Sequence, residues 1–437
     1  MDEDDFSSSP SQHFPFHTTA RPTSTSDTGT ATHITTTTST THVLAASTAS
    51  GKWASNLLTE CAHAIANKDS AQVQHFMHIL NELSSPYGDT NQKLASYFFH
   101  AIFKRVTNSG EQAHQTLISA SEKIFSFESM REIVLKFQEV SPWATFGHVA
   151  CNGAILEAFQ GENKLHIVDI SNTYCTQWPT LLEALATRSG DMPHLKISAV
   201  VVAKDGGTHS LAAAQKVMNE IGNRMEKFAR LMGVPFKFNA VYHIGMDLSS
   251  LNFNDLEIDD GEVLAVNCIG TLHTVTVAGP HRDDVLSNIR RIRPKIVTVV
   301  EDEADLGISM DGSDDFFRVF QECLRWFSLY FESLDESFPR VSNERLMLER
   351  AAGRAIIDLI ACPHATSVER RERAVQWSRR LHVAGFAPVA FSDDVADDVR
   401  ALLQRHRDGW STTQCPHAGI FLAWKEQPVM WACVWKP

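Results

Sequence analysis

The sequence predicts an α/β protein: a mostly parallel sheet covered by helices on both faces, antiparallel strands at its C-terminal edge, and an α-helical cap in front. Three observations carry this. From Leu165 onward, strand-sized apolar runs alternate with amphipathic helical stretches, the pattern of right-handed crossovers. Ile296-Val297-Thr298-Val299-Val300 is almost continuously apolar, as a strand buried on both faces must be. Before residue 139 there are only helical periodicities.

Residues 1–51 form a separate leader. Ser and Thr supply nearly half of it, with Thr35 to Thr38 as the extreme, and large apolar residues are few. Such a segment cannot bury enough surface to offset chain entropy and is expected to be disordered. Order should begin near Lys52. Trp53, Leu57, Cys61 and Ile65 recur every four residues on one helix face, and Phe76, Leu80 and Leu83 continue in a second helix stopped by Pro86 and Gly88. A third helix spans about Thr90 to Val106. Residues 52–138 are therefore expected to be an all-helical cap. The face bearing Leu57, Cys61 and Ile65 is its candidate partner-binding surface; internal packing of the same face is the competing reading.

Residues 139–437 are expected to be the α/β core. Ser141-Pro142 starts a helix, Ser as N-cap and Pro at the first position, where no N–H is missed. Strand Leu165 to Asp169 follows, then a helix with Leu181, Leu182 and Leu185, then strand Leu195 to Val202. A helix with Ile221, Met225, Phe228 and Leu231 ends at Gly233 and Pro235. Strands are expected near Phe236 to Tyr242, Val263 to Cys268 and Ile296 to Val300. Helices near Arg345 to Ile360 and Glu369 to Ala384 precede a short strand around Phe386 to Phe391. Gly419 to Trp424 and Val429 to Trp435 read as a terminal hairpin.

Composition narrows the function. Net charge is −13, from 39 Lys and Arg against 52 Asp and Glu, which argues against coating nucleic acid through bulk charge. The eight cysteines are scattered with no C-x-x-C pair, which fits reduced thiols in a cytosolic or nuclear protein. Acidic residues in Met1 to Asp5 do not suit a signal or transit peptide, and no apolar run approaches the ~20 residues of a membrane span. His75 and His78 lack nearby Cys or His partners for zinc.

In an open parallel sheet, ligands bind beyond the carboxyl ends of the strands. The first such end is Asp169. A nucleotide or methyl-donor cofactor needs glycines just after it, yet Ile170 to Pro179 contains none. Asp169 is therefore expected to be structural, accepting loop N–H groups, with no cofactor. Glu301, Asp302, Glu303 and Asp305 are expected to form a solvated acidic loop, and His273 a hydrogen-bonded structural residue. Arg370, Arg371, Arg373, Arg379 and Arg380 are expected on a late helix as a solvated or protein-binding face.

Leu165-His166-Ile167-Val168-Asp169, with Gln177, Trp178 and Pro179, resembles the "VHIID" signature of the plant GRAS family. Pro294, Phe331, Arg345 and Glu349 resemble its "PFYRE" block. Trp377 and Gly385 match its W-x7-G element, and Trp424, Trp431 and Trp435 its "SAW" block, although Cys433-Val434-Trp435 stands where Ser-Ala-Trp is the pattern. The likeness covers about residues 52–437 and includes both leucine-rich regions; longer stretches are similar to the SHORT-ROOT branch. The resemblance implies a Rossmann-like, methyltransferase-type core. It implies a non-enzymatic transcriptional regulator in nucleus and cytoplasm that passes between cells, specifying root ground tissue and endodermis through asymmetric division. The partners it implies are a SCARECROW-like GRAS protein and indeterminate-domain-type zinc-finger factors, with DNA reached through the latter. An S-adenosylmethionine-dependent methyltransferase with an atypical cofactor loop, or direct sequence-specific DNA binding, are the alternatives.

Overall fold

The computed structural model describes residues 51–437 except 125, 189, 204–207, 245–247, 308–314 and 416–418. The Ser/Thr-rich leader, and the acidic stretch through Asp311 and Asp314, lie outside the described residues.

Six helices come first: α1 (Trp53–Ala66), α2 (Ser70–Leu83), α3 (Thr90–Val106), α4 (Gly110–Ile124), α5 (Phe127–Val140) and α6 (Pro142–Ala158). Their starts follow local chemistry. Asp69 caps α2, Asp89 and Gln92 form a reciprocal capping box on α3, and Ser141 caps α6 with Pro142 in its first turn. Then come β1 (Lys164–Ser171), α7 (Trp178–Ala186), β2 (His194–Ala203), α8 (Thr208–Met232), β3 (Phe236–Ile244), β4 (Val263–Ile269), α9 (His281–Arg291) and β5 (Ile296–Asp302). The rest is α10 (Phe316–Ser337), α11 (Asn343–Ala361), α12 (Ala374–Val383), β6 (Ala387–Val389), α13 (Asp393–Leu403), β7 (Trp410–Cys415), β8 (Gly419–Trp424) and β9 (Gln427–Lys436).

The strands form one sheet in the order β3-β2-β1-β4-β5-β9-β8-β7, with β6 beside β9. β3 through β5 run parallel; β5–β9, β9–β8, β8–β7 and β6–β9 are antiparallel. This is the expected mostly parallel sheet with antiparallel strands at its C-terminal edge, in a Rossmann-like order whose direction of winding reverses between β1 and β4.

Side-chain alternation sorts the strand residues to two faces. Val168, Ile170, Val266, Cys268, Val297 and Val299 pack with α9 and α12. The intervening residues, among them Asp169, Asn267 and Thr298, face α6 and α7. There Gly147 lets α6 sit against the sheet: a Cβ on it would lie 2.9 Å from Val300 Cγ1.

The helical cap departs from its sequence boundaries. α10 packs against α1 and α3, and α11 against α3, so residues far beyond 138 complete it. α10 falls where no element was expected, although Val319, Phe320, Cys323, Phe327, Phe331 and Leu334 make a buried helical stripe. α13 and β7 were also unexpected. Arg370, Arg371 and Arg373 precede α12 rather than lying on it.

Candidate functional site

The tip of β1 sits at the switch point of the sheet, and it is built as a closed network of side chains. Asp169 is buried, and its Oδ2 accepts from Trp178 Nε1 at 2.7 Å. Its Oδ1 accepts from Asn267 Nδ2, on β4, at 3.2 Å. The same Asn267 amide donates to Gln177 Oε1 at 3.0 Å, and its carbonyl accepts from Thr298 Oγ1, on β5, at 2.8 Å. Gln177 in turn donates to Asn152 Oδ1, on α6, at 2.9 Å. Burial pushes the Asp169 carboxyl up from its usual range, and the donations from Trp178 and Asn267 oppose the rise. These are side-chain donors, not the loop N–H groups expected of Asp169.

The loop after β1 also bridges the switch-point crevice. Asn172 Nδ2 donates to Gly270 O at 2.9 Å and Thr271 Oγ1 to Ile170 O at 2.7 Å. Tyr174 and Cys175 both take left-handed backbone (φ 53° and 59°), turning the chain before α7. α7 opens on Trp178 and Pro179; Pro contributes no N–H to an anion there, and the Trp178 indole is wholly buried. A cavity of about 170 Å³ remains, lined by Tyr174, Cys175, Val200, Val202, Met218 and Thr271 among others. That is below the ~300–1,000 Å³ usual for ligand pockets.

The remaining candidate residues are framework. Leu165, Ile167 and Val168 are core, and His166 bridges Glu262 (2.7 Å) and Ser198 (2.9 Å). Pro294 is buried ahead of β5. Arg345 and Glu349 pair at 2.7 Å, Lys93 of α3 joins Glu349 at 2.7 Å, and Arg345 reaches Asp335 of α10 at 2.6 Å. Phe331 stacks on Tyr97. Together these join α3, α10 and α11. Trp377, Trp424, Trp431 and Trp435 are all buried. Gly385 has φ +89°, and a Cβ there would lie 2.7 Å from Arg290 Cζ.

Three expectations are corrected. Leu57 and Cys61 are buried and Ile65 half-buried: α1 turns this face onto α2, α3 and α10, so it is interior and not a free docking surface. Glu301 and Asp302, at the end of β5, do not form a solvated loop. Glu301 is buried, accepting from His273 Nδ1 and Leu272 N, both at 2.7 Å, while Asp302 meets Arg371 Nε at 2.6 Å. Arg370 and Arg371 are buried too; Arg371 packs over Trp326. Acids and bases far apart in sequence neutralise one another here, which charge spacing along the chain could not reveal. His273 is hydrogen-bonded, as expected.

The GRAS domain family model matches residues 54–436. The chain belongs to the GRAS family. Protein SHORT-ROOT of Arabidopsis thaliana is 61% identical over 395 residues, 89% of this chain and 74% of that protein. Protein SHORT-ROOT 1 of Oryza sativa subsp. japonica is 54% identical, over 88% of this chain and 69% of that protein. Scarecrow-like protein 21 of Arabidopsis thaliana is 31% identical, over 87% of each. Among solved structures, SCL7 of Oryza sativa superposes with a TM-score of 0.71 at 26% identity, covering 87% of this chain and 99% of that one. This GRAS protein is thus a transcriptional regulator of root development, in the company of SHORT-ROOT proteins.

Proposed function

We propose that this GRAS protein regulates transcription without catalysis, as an adaptor in the nucleus. One arrangement supports that reading above others: at the switch point, where a Rossmann-type enzyme holds its coenzyme, Trp178, Asn267 and Gln177 occupy both Asp169 oxygens and their surroundings. Both carboxylate oxygens are thus engaged by the chain's own donors, and the residual cavity is small.

On this reading, the helical cap pairs with a SCARECROW-like GRAS protein through a surface other than the Leu57 and Cys61 face. An indeterminate-domain-type zinc-finger protein supplies the DNA contacts, and the protein also occupies the cytoplasm and passes between cells. The motif residues from Leu165 to Trp435 shape the adaptor rather than touch a substrate.

The test has three arms. The purified chain and a SCARECROW-like GRAS domain should co-elute at micromolar concentration, with an interface above about 1,000 Å². Separate elution would overturn the pairing. Calorimetry with S-adenosylmethionine should give no binding heat; a one-to-one endpoint would restore the methyltransferase reading. A gel shift by the isolated chain on its own would establish direct DNA contact instead.

A further inference from the structure

Three side chains able to ligate metal meet in the helical cap, far from the β1 tip. His114 lies on the second turn of α4, Asp358 on the last turn of α11, and Cys362 at that helix's C-cap. Asp358 and Cys362 are four residues apart and so share a face. Gly110, the first residue of α4, lets that helix abut the end of α11: a Cβ on it would lie 2.2 Å from the Ala361 carbonyl oxygen. His114, one turn on, is thereby brought opposite Asp358. Ligand atoms of the three lie within 4.8 Å of one another, and all three residues are buried.

The two oxygens of Asp358 are treated differently. Oδ2 accepts from Ser367 Oγ at 2.5 Å, Glu369 N at 3.1 Å and Val368 N at 3.2 Å. Oδ1 is buried and makes no hydrogen bond among the described residues. His114 Nδ1 stands 3.7 Å from it, too far to hydrogen-bond. Zinc bonds of about 2.0–2.2 Å to nitrogen and oxygen set those two atoms ~3.3–3.5 Å apart on a tetrahedron, so closing the pair by a few tenths of an ångström seats the ion. Fixing one carboxylate oxygen with outer donors while the other faces inward is how metal-binding carboxylates are commonly oriented. One nitrogen, one oxygen and one sulfur are a donor set that zinc accepts. A cleft lined by Glu111, Cys362, His364 and Arg370 opens beside Cys362.

We propose that His114, Asp358 and Cys362 form a zinc(II) site that ties the start of α4 to the end of α11. On binding, the Cys362 S–H bond breaks, a sulfur–zinc bond forms, and the proton leaves to solvent. No redox change is involved.

The full chain, stripped with EDTA, is titrated with cobalt(II) as an optical stand-in for zinc. One cobalt per chain is expected, with a thiolate-to-metal charge-transfer band that zinc abolishes by displacement. Cys362→Ser should remove the band, whereas Cys415→Ser, at the exposed cysteine, should keep it. His114→Gln retains the thiolate, and its cobalt affinity should fall at least tenfold with the helical circular dichroism unchanged; this variant carries the test if Cys362→Ser does not fold. Absence of stoichiometric uptake, a band that survives Cys362→Ser, or unaltered affinity in His114→Gln would overturn the site, leaving His114 and Asp358 as a plain ion pair.

Discussion

The Trp178 indole N–H donates to the buried Asp169 carboxylate at 2.7 Å, so the first residue of α7 seals the end of β1. Phe in place of Trp178 keeps an aromatic ring but removes this donor. A buried acceptor stripped of its partner costs about 1–3 kcal/mol. Trp178→Phe should lower the urea midpoint accordingly, with the slope unchanged. An unshifted midpoint would mean that the indole contact does not hold the loop.

At Gly353, α11 abuts Tyr97 of α3. A Cβ on it would stand 2.4 Å from Tyr97 Cδ1, and the Tyr97 ring is itself stacked on Phe331 at a centroid distance of 5.3 Å. In an exposed helix, Gly→Ala would gain about 1 kcal/mol. Here overpacking, typically about 1–3 kcal/mol, should win, and Gly353→Ala should destabilise. With Tyr97→Leu in the same chain the clash disappears, and the added Ala should then be neutral or favourable. Equal effects in both backgrounds, measured by a double-mutant cycle, would refute the steric account.

What the sequence disclosed and what it withheld divide along physical lines. β1 and β5 were readable because burial on both faces leaves a short apolar run rich in β-branched Ile and Val, too short for a typical helix, and α6 because Ser141-Pro142 is local capping chemistry. The glycine-free loop after Asp169 was also local, so the absence of a phosphate-binding turn could be seen directly. Asn267 and Asn152 carried no signal: they complete the Asp169 network only because β4 lies beside β1 and α6 lies over both. Asp302 and Arg371 looked like members of charge runs, since their pairing needs the chain to return after α10 and α11. Cys61 misled for a different reason. A stripe at helical spacing announces a buried face but not whether the same chain or another covers it. Nor could spacing show that His114 would meet Asp358 and Cys362 across the cap.

The pH dependence of stability should carry a mark of His273. Burial lowers its pKa, but the Glu301 carboxylate at 2.7 Å, seconded by Glu369, outweighs both burial and the nearby Arg371, leaving the imidazole above its ordinary 6.5. A histidine whose folded pKa is raised binds its proton more tightly in the native state. Its contribution is full below about 6.5, the unfolded value, and is lost as pH rises through the folded value. Urea midpoints should therefore decline from just below pH 6.5 upward, and His273→Gln should flatten that decline. Identical slopes in the two proteins would remove His273 as the cause.

Cys61 decides whether α1 is core or interface. The residue is wholly buried between α1 and its neighbours, whereas Glu60 beside it is exposed. A carboxylate forced into that position finds no counter-charge among the buried residues of α1, and unpaired buried charge ranks among the most damaging of single substitutions, about 3–5 kcal/mol. Cys61→Asp should therefore lose helical circular dichroism and cooperative melting, and any partner binding with them. Glu60→Lys should melt as the wild type does. A Cys61→Asp chain that melted normally and had lost only its partner would return this face to the surface.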